Sequence, residues 1–119
     1  MRFETISNDG DVTSLTACGQ ITQSAFDHEE EPLAEQFGEG VYTTRVLLGL
    51  QGADYMDSRG VGWLLKCHRR FRRAGGIFVI HSMPPVIRDV LKVLHLDTIL
   101  NVENDEQAAR ERALATANE

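Results

Sequence analysis

The stretch YMDSRGVGWLL, residues 55–65, decides how this chain is read. An apolar run, Val46 to Leu50, ends just before it, and an amphipathic helix begins inside it. Between the two stand Ser58, flanked by Asp57 and Arg59, and glycines at 60 and 62. A hydroxyl at a strand-to-helix junction predicts an N-cap at Ser58, its oxygen accepting from a first-turn N–H and worth about 1 kcal/mol. Capping explains only the serine. The same position would also receive a phosphoryl group well, because orphan N–H groups and the positive end of the helix dipole face it. Arg59 places a cation alongside, and phosphorylation would add about −1.5 to −2 charges. Gly60 and Gly62 predict a smooth patch that another protein's backbone can approach closely.

Downstream, Val61, Leu64, Leu65, His68 and Phe71 recur at offsets of 3, 4, 7 and 10, which predicts the core face of one helix. Gly75-Gly76 supplies its stop. On the same wheel Trp63 lies roughly opposite Val61 and Leu64, so the expectation is a ring directed away from the core. Such a ring serves either as an anchor for a partner or as a cover lying flat over a neighbouring loop.

Strand and helix signals alternate along the rest of the chain. RFETIS and DVTSLTA read as strands joined by a hairpin at Asn8-Asp9-Gly10. GQITQSAFDHEEE reads as a polar surface loop. Pro32 opens a short helix, PLAEQF, that Gly38 ends. VYTTRVLLGL rises into a central strand, and IFVIHS is a second buried one. Pro84-Pro85 opens a helix whose predicted core face is Val86, Ile87, Val90, Leu91 and Leu94. TILNV is a last strand, and NDEQAARERALATA a closing helix capped at Asn104 or Asp105. This order predicts an α/β protein: one domain over residues 1–119, a mixed four- to five-stranded sheet, and about four helices packed on it.

With 42% apolar and 25% charged residues, the 119-residue chain has an ordinary globular composition. No run approaches the roughly 18 apolar residues that span a bilayer. The N-terminus carries acids where a signal peptide needs an apolar stretch, so a cytoplasmic protein without a membrane span is expected. Net charge is −6 but uneven: residues 1–44 hold nine acids and one arginine, whereas residues 59–73 hold six cations and no acid. Distinct faces for protein partners follow, and the global negative charge argues against direct nucleic-acid binding. In HRRFRR, Phe71 belongs to the core face, which leaves a solvated helix end or protein-contact patch.

Enzyme signatures such as GxSxG, SxxK, HExxH and GxxxxGK[ST] are absent, and no nucleophile stands beside a base of its own. His28, His68, His81 and His95 lack zinc spacing, so neither a metal nor a cofactor is expected. His68 reads as a core histidine and His28 as part of a hydrated loop. Cys18 and Cys67 read as reduced, partly buried thiols.

VLLGLQGADYMDSRGVGWLL, then a basic helix, AGG, an apolar strand and VIRDVLKVLHLDTILNVENDEQAA, resembles a STAS domain of the anti-sigma factor antagonist type. The resemblance covers residues 42–110 well and the N-terminal hairpin more loosely. It implies a STAS-type fold and a non-enzymatic partner switch that regulates sigma-factor-dependent transcription. The unphosphorylated antagonist binds an anti-sigma factor that is itself a serine kinase. Phosphorylation of the serine in the DS motif releases it, and a separate phosphatase resets the system. On this chain the implied phosphoacceptor is Ser58, and the partner-binding residues are Asp57, Arg59, Gly60, Val61, Gly62 and Trp63. ATP and magnesium belong to the partner. The chain departs from the family at Arg59, where a second serine is common, and at Gly49 and Gln20-Ile21-Thr22, where relatives often carry acids. An alternative is a STAS interaction module of another system, a stress-signalling assembly or a lipid-transport complex, with Ser58 only a helix cap. Monomer and weak dimer both remain open.

Overall fold

Asp9 closes the N-terminal hairpin with its own side chain: Oδ1 accepts from the backbone N–H groups of Asp11 (3.1 Å) and Val12 (2.9 Å). Gly10 takes the left-handed φ of 91° that this turn requires. The flanking strands, β1 (Arg2–Asn8) and β2 (Thr13–Ile21), pair antiparallel. The computed structural model describes residues 1–26 and 31–116.

Beyond the hairpin the chain forms α1 (Pro32–Phe37), β3 (Arg45–Gly49), β4 (Ala53–Met56), α2 (Ser58–Ala74), β5 (Ile77–His81), α3 (Pro85–Val93), β6 (Asn101–Glu103) and α4 (Glu106–Thr116). The sheet has six strands in the order β1-β2-β3-β5-β6, and β4 pairs with β2 off that path. Every pairing except β1–β2 is parallel. β3 is central, as its continuous apolar run predicts.

β4 has no counterpart in the sequence reading, and the sheet exceeds the four to five strands expected there. Only four residues long, with exposed Asp54 and Tyr55, ADYM lacks the alternation or apolar run that marks a strand. It pairs with the second half of β2, Gly19 with Ala53 and Ile21 with Met56, while the first half of β2 pairs with β3. Gly19–Ile21 is therefore strand rather than the start of a surface loop. Gln23–Phe26 forms a 3-10 turn that buries Phe26, and residues 27–30 lie outside the described residues.

The sheet is covered on both faces because β3 and β5 alternate. Val46, Leu48, Phe78 and Ile80 join Leu33 of α1, Leu64 and Phe71 of α2, and Ile87 and Leu91 of α3 in the main core. Leu47, Ile77 and Val79 point to the other face, against Ala109 and Ala113 of α4. Two alanines let α4 lie close to the sheet. Its start is capped by Asp105, whose Oδ1 accepts from Ala108 N at 2.8 Å. Ion pairs at 2.9 Å, Arg110 to Asp9 and Arg112 to Glu103, fix its direction. Gly75 (φ 94°) ends α2, and a side chain at Gly76 would run into the carbonyls of Tyr42 and Thr44.

The predicted face of α3 is half right. Ile87 and Leu91 are buried, but Val86 and Leu94 are exposed, because no element covers that flank among the described residues. The stripe on α2 is also rotated: Trp63 and Cys67 are buried, while Leu65 and His68 are half-buried. Phe71 is core, stacked on Phe78 with ring centres 5.1 Å apart.

His81 ends β5 fully enclosed, its Nδ1 2.8 Å from Ser82 Oγ. Burial holds its imidazole below the ordinary value of 6.5, against the opposing pull of Glu106 and Asp105. The unfolded chain therefore takes up its proton first as pH falls. The stability contributed by neutral His81 is complete above about 6.5 and is lost as pH drops below that value. Urea midpoints should fall from about pH 7 to about pH 5, with a shallower slope in His81→Gln. His68, also held low by burial and by Arg72, contributes to the slope that remains.

Candidate functional site

The junction between β4 and α2 is organised by Asp57, not Ser58. Asp57 has extended backbone and is the N-cap of α2: its Oδ1 accepts from Gly60 N at 3.1 Å. Its Oδ2 accepts from Gln23 N at 3.0 Å, so one carboxylate ties the helix start to the turn after β2. Burial opposes the charge, yet the N–H groups of Gln23 and Gly60 prevail and hold the carboxyl below its ordinary range. Ser58, expected to cap, is the first residue of the helix and lies exposed. Aspartate displaces it because the backbone is extended at Asp57 and helical from Ser58 onward, so the Asp57 side chain is the one set against the first-turn amide groups.

Gly60 and Val61, expected on a partner-facing patch, are turned inward. A side chain at Gly60 would meet the Ile21 carbonyl, and would lie 2.7 Å from Met56 Cγ. The glycine thus serves the close approach of α2 to the end of β2, and Val61 is a core residue. Gly62 fits the expectation: it is exposed, and nothing lies within 4 Å of where its side chain would be.

Trp63 is 3% exposed, which corrects the expectation of a ring directed away from the core. Its centre lies 5.9 Å from the rings of both Phe3 and Phe26, and its Nε1 donates to Glu31 Oε1 at 3.1 Å. Trp63 shares the buried face of α2 with Gly60, Leu64, Cys67 and Phe71, packs on Phe3 of β1, and is covered from the other side by Phe26 and Glu31. Neither expected role, an exposed anchor or a ring lying flat over a loop, matches this core position. A lone Phe26 in an otherwise polar stretch was the signal for it. Glu31 also lies 3.7 Å from Cys67 Sγ; burial and this carboxylate push the thiol well above its ordinary range, which leaves it unreactive.

Outside this buried cluster, Phe26, Ser58, Arg59, Gly62, Trp63 and Lys66 line a shallow concavity along the side of α2. Arg59 is exposed, its guanidinium carbon 5.7 Å from the Phe26 ring centre. Farther along, Arg70 lies over Tyr42 at 5.5 Å, and Arg69, Arg72 and Arg73 are exposed. At Gly49, a side chain would meet the movable end of exposed Gln51 and lie 2.9 Å from Cε1 of the buried His81. Among the described residues no group of three or more His, Cys, Asp or Glu is placed to hold a metal, and no helix is long and apolar enough to cross a membrane. His28 lies outside the described residues.

Comparison with known proteins agrees with this geometry. A STAS domain family model matches residues 5–109. BtrV of Bordetella bronchiseptica, assigned as an anti-sigma factor antagonist, is 30% identical over 97 residues, which cover 80% of this chain and 82% of BtrV. A Thermotoga maritima protein with the same assignment has a similar fold, with a TM-score of 0.79 at 19% identity over 94% of this chain and 92% of that one. The phosphorylated form of the Bacillus cell fate determinant SpoIIAA gives a TM-score of 0.64 at 18% identity over 92% and 98%. The chain belongs to the STAS domain family, among the anti-sigma factor antagonists.

Two substitutions test the packing of the junction. Gly60→Ala should destabilise by about 1–3 kcal/mol, because the added methyl meets a backbone carbonyl that cannot turn aside. Trp63→Ala should cost about 3–5 kcal/mol. Urea unfolding of each variant measures both; a Trp63→Ala protein as stable as the parent would contradict the buried position.

Proposed function

We propose that this chain is a phosphorylation-controlled partner switch. Acting as a single STAS domain over residues 1–119 in the cytoplasm, it binds an anti-sigma factor that is itself a serine kinase, and so frees a sigma factor for transcription. The kinase transfers the γ-phosphoryl group of ATP to Ser58. A bond forms from Ser58 Oγ to phosphorus, the bond to the β-phosphate oxygen breaks, ADP leaves, and the serine proton passes to a base on the kinase. The modified chain then lets go, and a phosphatase restores it. The chain contributes binding and an acceptor hydroxyl; catalysis, ATP and magnesium belong to the partner.

The observation that carries this reading is the division of labour between Asp57 and Ser58. Because Asp57 caps the helix, the exposed Ser58 hydroxyl is available for transfer without unwinding α2. The cap that the alternative reading, a STAS module of another system, assigned to Ser58 is made by Asp57. The phosphorylated form of SpoIIAA, which shares the fold, supports the same reading. A phosphate here adds about −1.5 to −2 charges at a contact surface. Each 1.4 kcal/mol of desolvation and repulsion weakens affinity about tenfold.

Incubation with the cognate serine-kinase partner and ATP-magnesium should add one phosphate, mapped to Ser58 by peptide mass and absent in Ser58→Ala. Ser58→Asp should bind that partner more weakly. Transfer to another residue, or unchanged affinity of Ser58→Asp, would remove the switch.

A further inference from the structure

α2 carries its core and its charge on opposite sides. Leu64, Cys67 and Phe71 are buried against the sheet, while Ser58, Gly62, Lys66, Arg69 and Arg73 recur at helical spacing along the outward side. Lys66 is half-buried and the other four are exposed. The stripe runs about 22 Å, from the first turn to the last. The helix dipole favours cations only in the last turn, which accounts for Arg72 and Arg73 but not for Lys66 and Arg69. Internal ion pairs do not account for them either. Arg2, Arg110 and Arg112 each meet a carboxylate at 2.9 to 3.6 Å, whereas among the described residues Lys66, Arg69 and Arg73 form no ion pair. α2 itself contains no acid. The half-buried His68 registers the resulting field: burial, then Arg72, Arg112 and Arg69, hold its imidazole low, and no carboxylate opposes them. A chain with 18 acids thus leaves this ridge uncompensated.

We propose that the ridge of Lys66, Arg69 and Arg73 docks an acidic face of the serine-kinase partner. The proposal rests on the partner-switch reading and adds the chemistry of the partner's surface and the extent of the contact, from Ser58 along the outward side of α2. Net charge selects this occupant. At −6 the chain as a whole repels an extended polyanion such as DNA or an anionic membrane. A folded partner senses mainly the charges within a Debye length of ~8 Å, so an acidic patch laid along α2 meets the ridge alone. Exposed charges of this kind govern encounter more than dissociation.

The test follows association with the cognate serine-kinase partner by stopped flow without ATP, so that phosphoryl transfer does not enter. Arg69→Gln/Arg73→Gln should slow association about tenfold at about 50 mM salt and lose most of that difference at about 500 mM, with dissociation near its parent value. Glutamine retains helix propensity, and neither arginine is buried, so the variant keeps its fold. Arg2→Glu removes the same two units of charge from the opposite face of the sheet, since its neighbour Phe3 is the one directed at the main core. It should leave association unmoved. Unchanged rates in the double variant with binding intact, or an equal slowing in Arg2→Glu, overturn the ridge and leave Ser58 as acceptor untouched. A chain that does not bind the kinase at all overturns both. Binding to anionic vesicles or duplex DNA that the double variant abolishes, with kinase association unmoved, assigns the ridge to that polyanion and also overturns the proposal.

Discussion

The carboxylate of Asp57 is the constraint on which the rest of the site depends. One oxygen accepts from Gly60 N at the start of α2, and the other from Gln23 N in the turn after β2. The backbone joins in, with Asp57 N donating to the Ile21 carbonyl at 3.4 Å. The end of β2 is thereby held against the contiguous junction between β4 and the first turn of α2, more than thirty residues later in the chain. A side chain with a single acceptor oxygen would have to serve both amide groups from one atom.

That arrangement separates what is structural from what is available. Gly60, Val61 and Trp63 are consumed by packing, Gly60 against Ile21, Trp63 against Phe3, and Val61 within the main core. Ser58, Arg59, Gly62 and Lys66 remain along the outer flank of the same helix. The boundary follows the helical period, because positions that face the sheet and the covering turn alternate with those that face away. The open flank also begins the cationic surface that continues to Arg69, Arg72 and Arg73, on a chain whose net charge is −6.

Much of the fold was legible because its signals are local. Asp-Gly between two strand-like runs, prolines at helix starts, Gly75 after the last turn of α2, and unbroken apolar strands each depend on residues within a few positions. The DSRGVG motif likewise marked the junction and the family. Errors arose where a local pattern had more than one physical solution. A serine and an aspartate side by side can each cap, and only the backbone path decides which does. The apolar positions of α3 fit two overlapping faces, and the sheet took Ile87 and Leu91 while Val86 and Leu94 stayed outside. β4 was missed because its pairing with β2, not its composition, makes it a strand.

The amino-acid sequence by itself determined the α/β class, the hairpin, the central strand, the limits of α2 and the serine at its start. These follow from side-chain period, turn chemistry and backbone preference, which neighbours in the chain decide among themselves. Tertiary structure alone decided that Asp57 caps, that Ser58 is left exposed, that Gly60 faces inward, and that Trp63 is covered by Phe26 and Glu31. Each of those outcomes depends on which distant segment reaches the residue first, and a helical wheel has no knowledge of what lies above it.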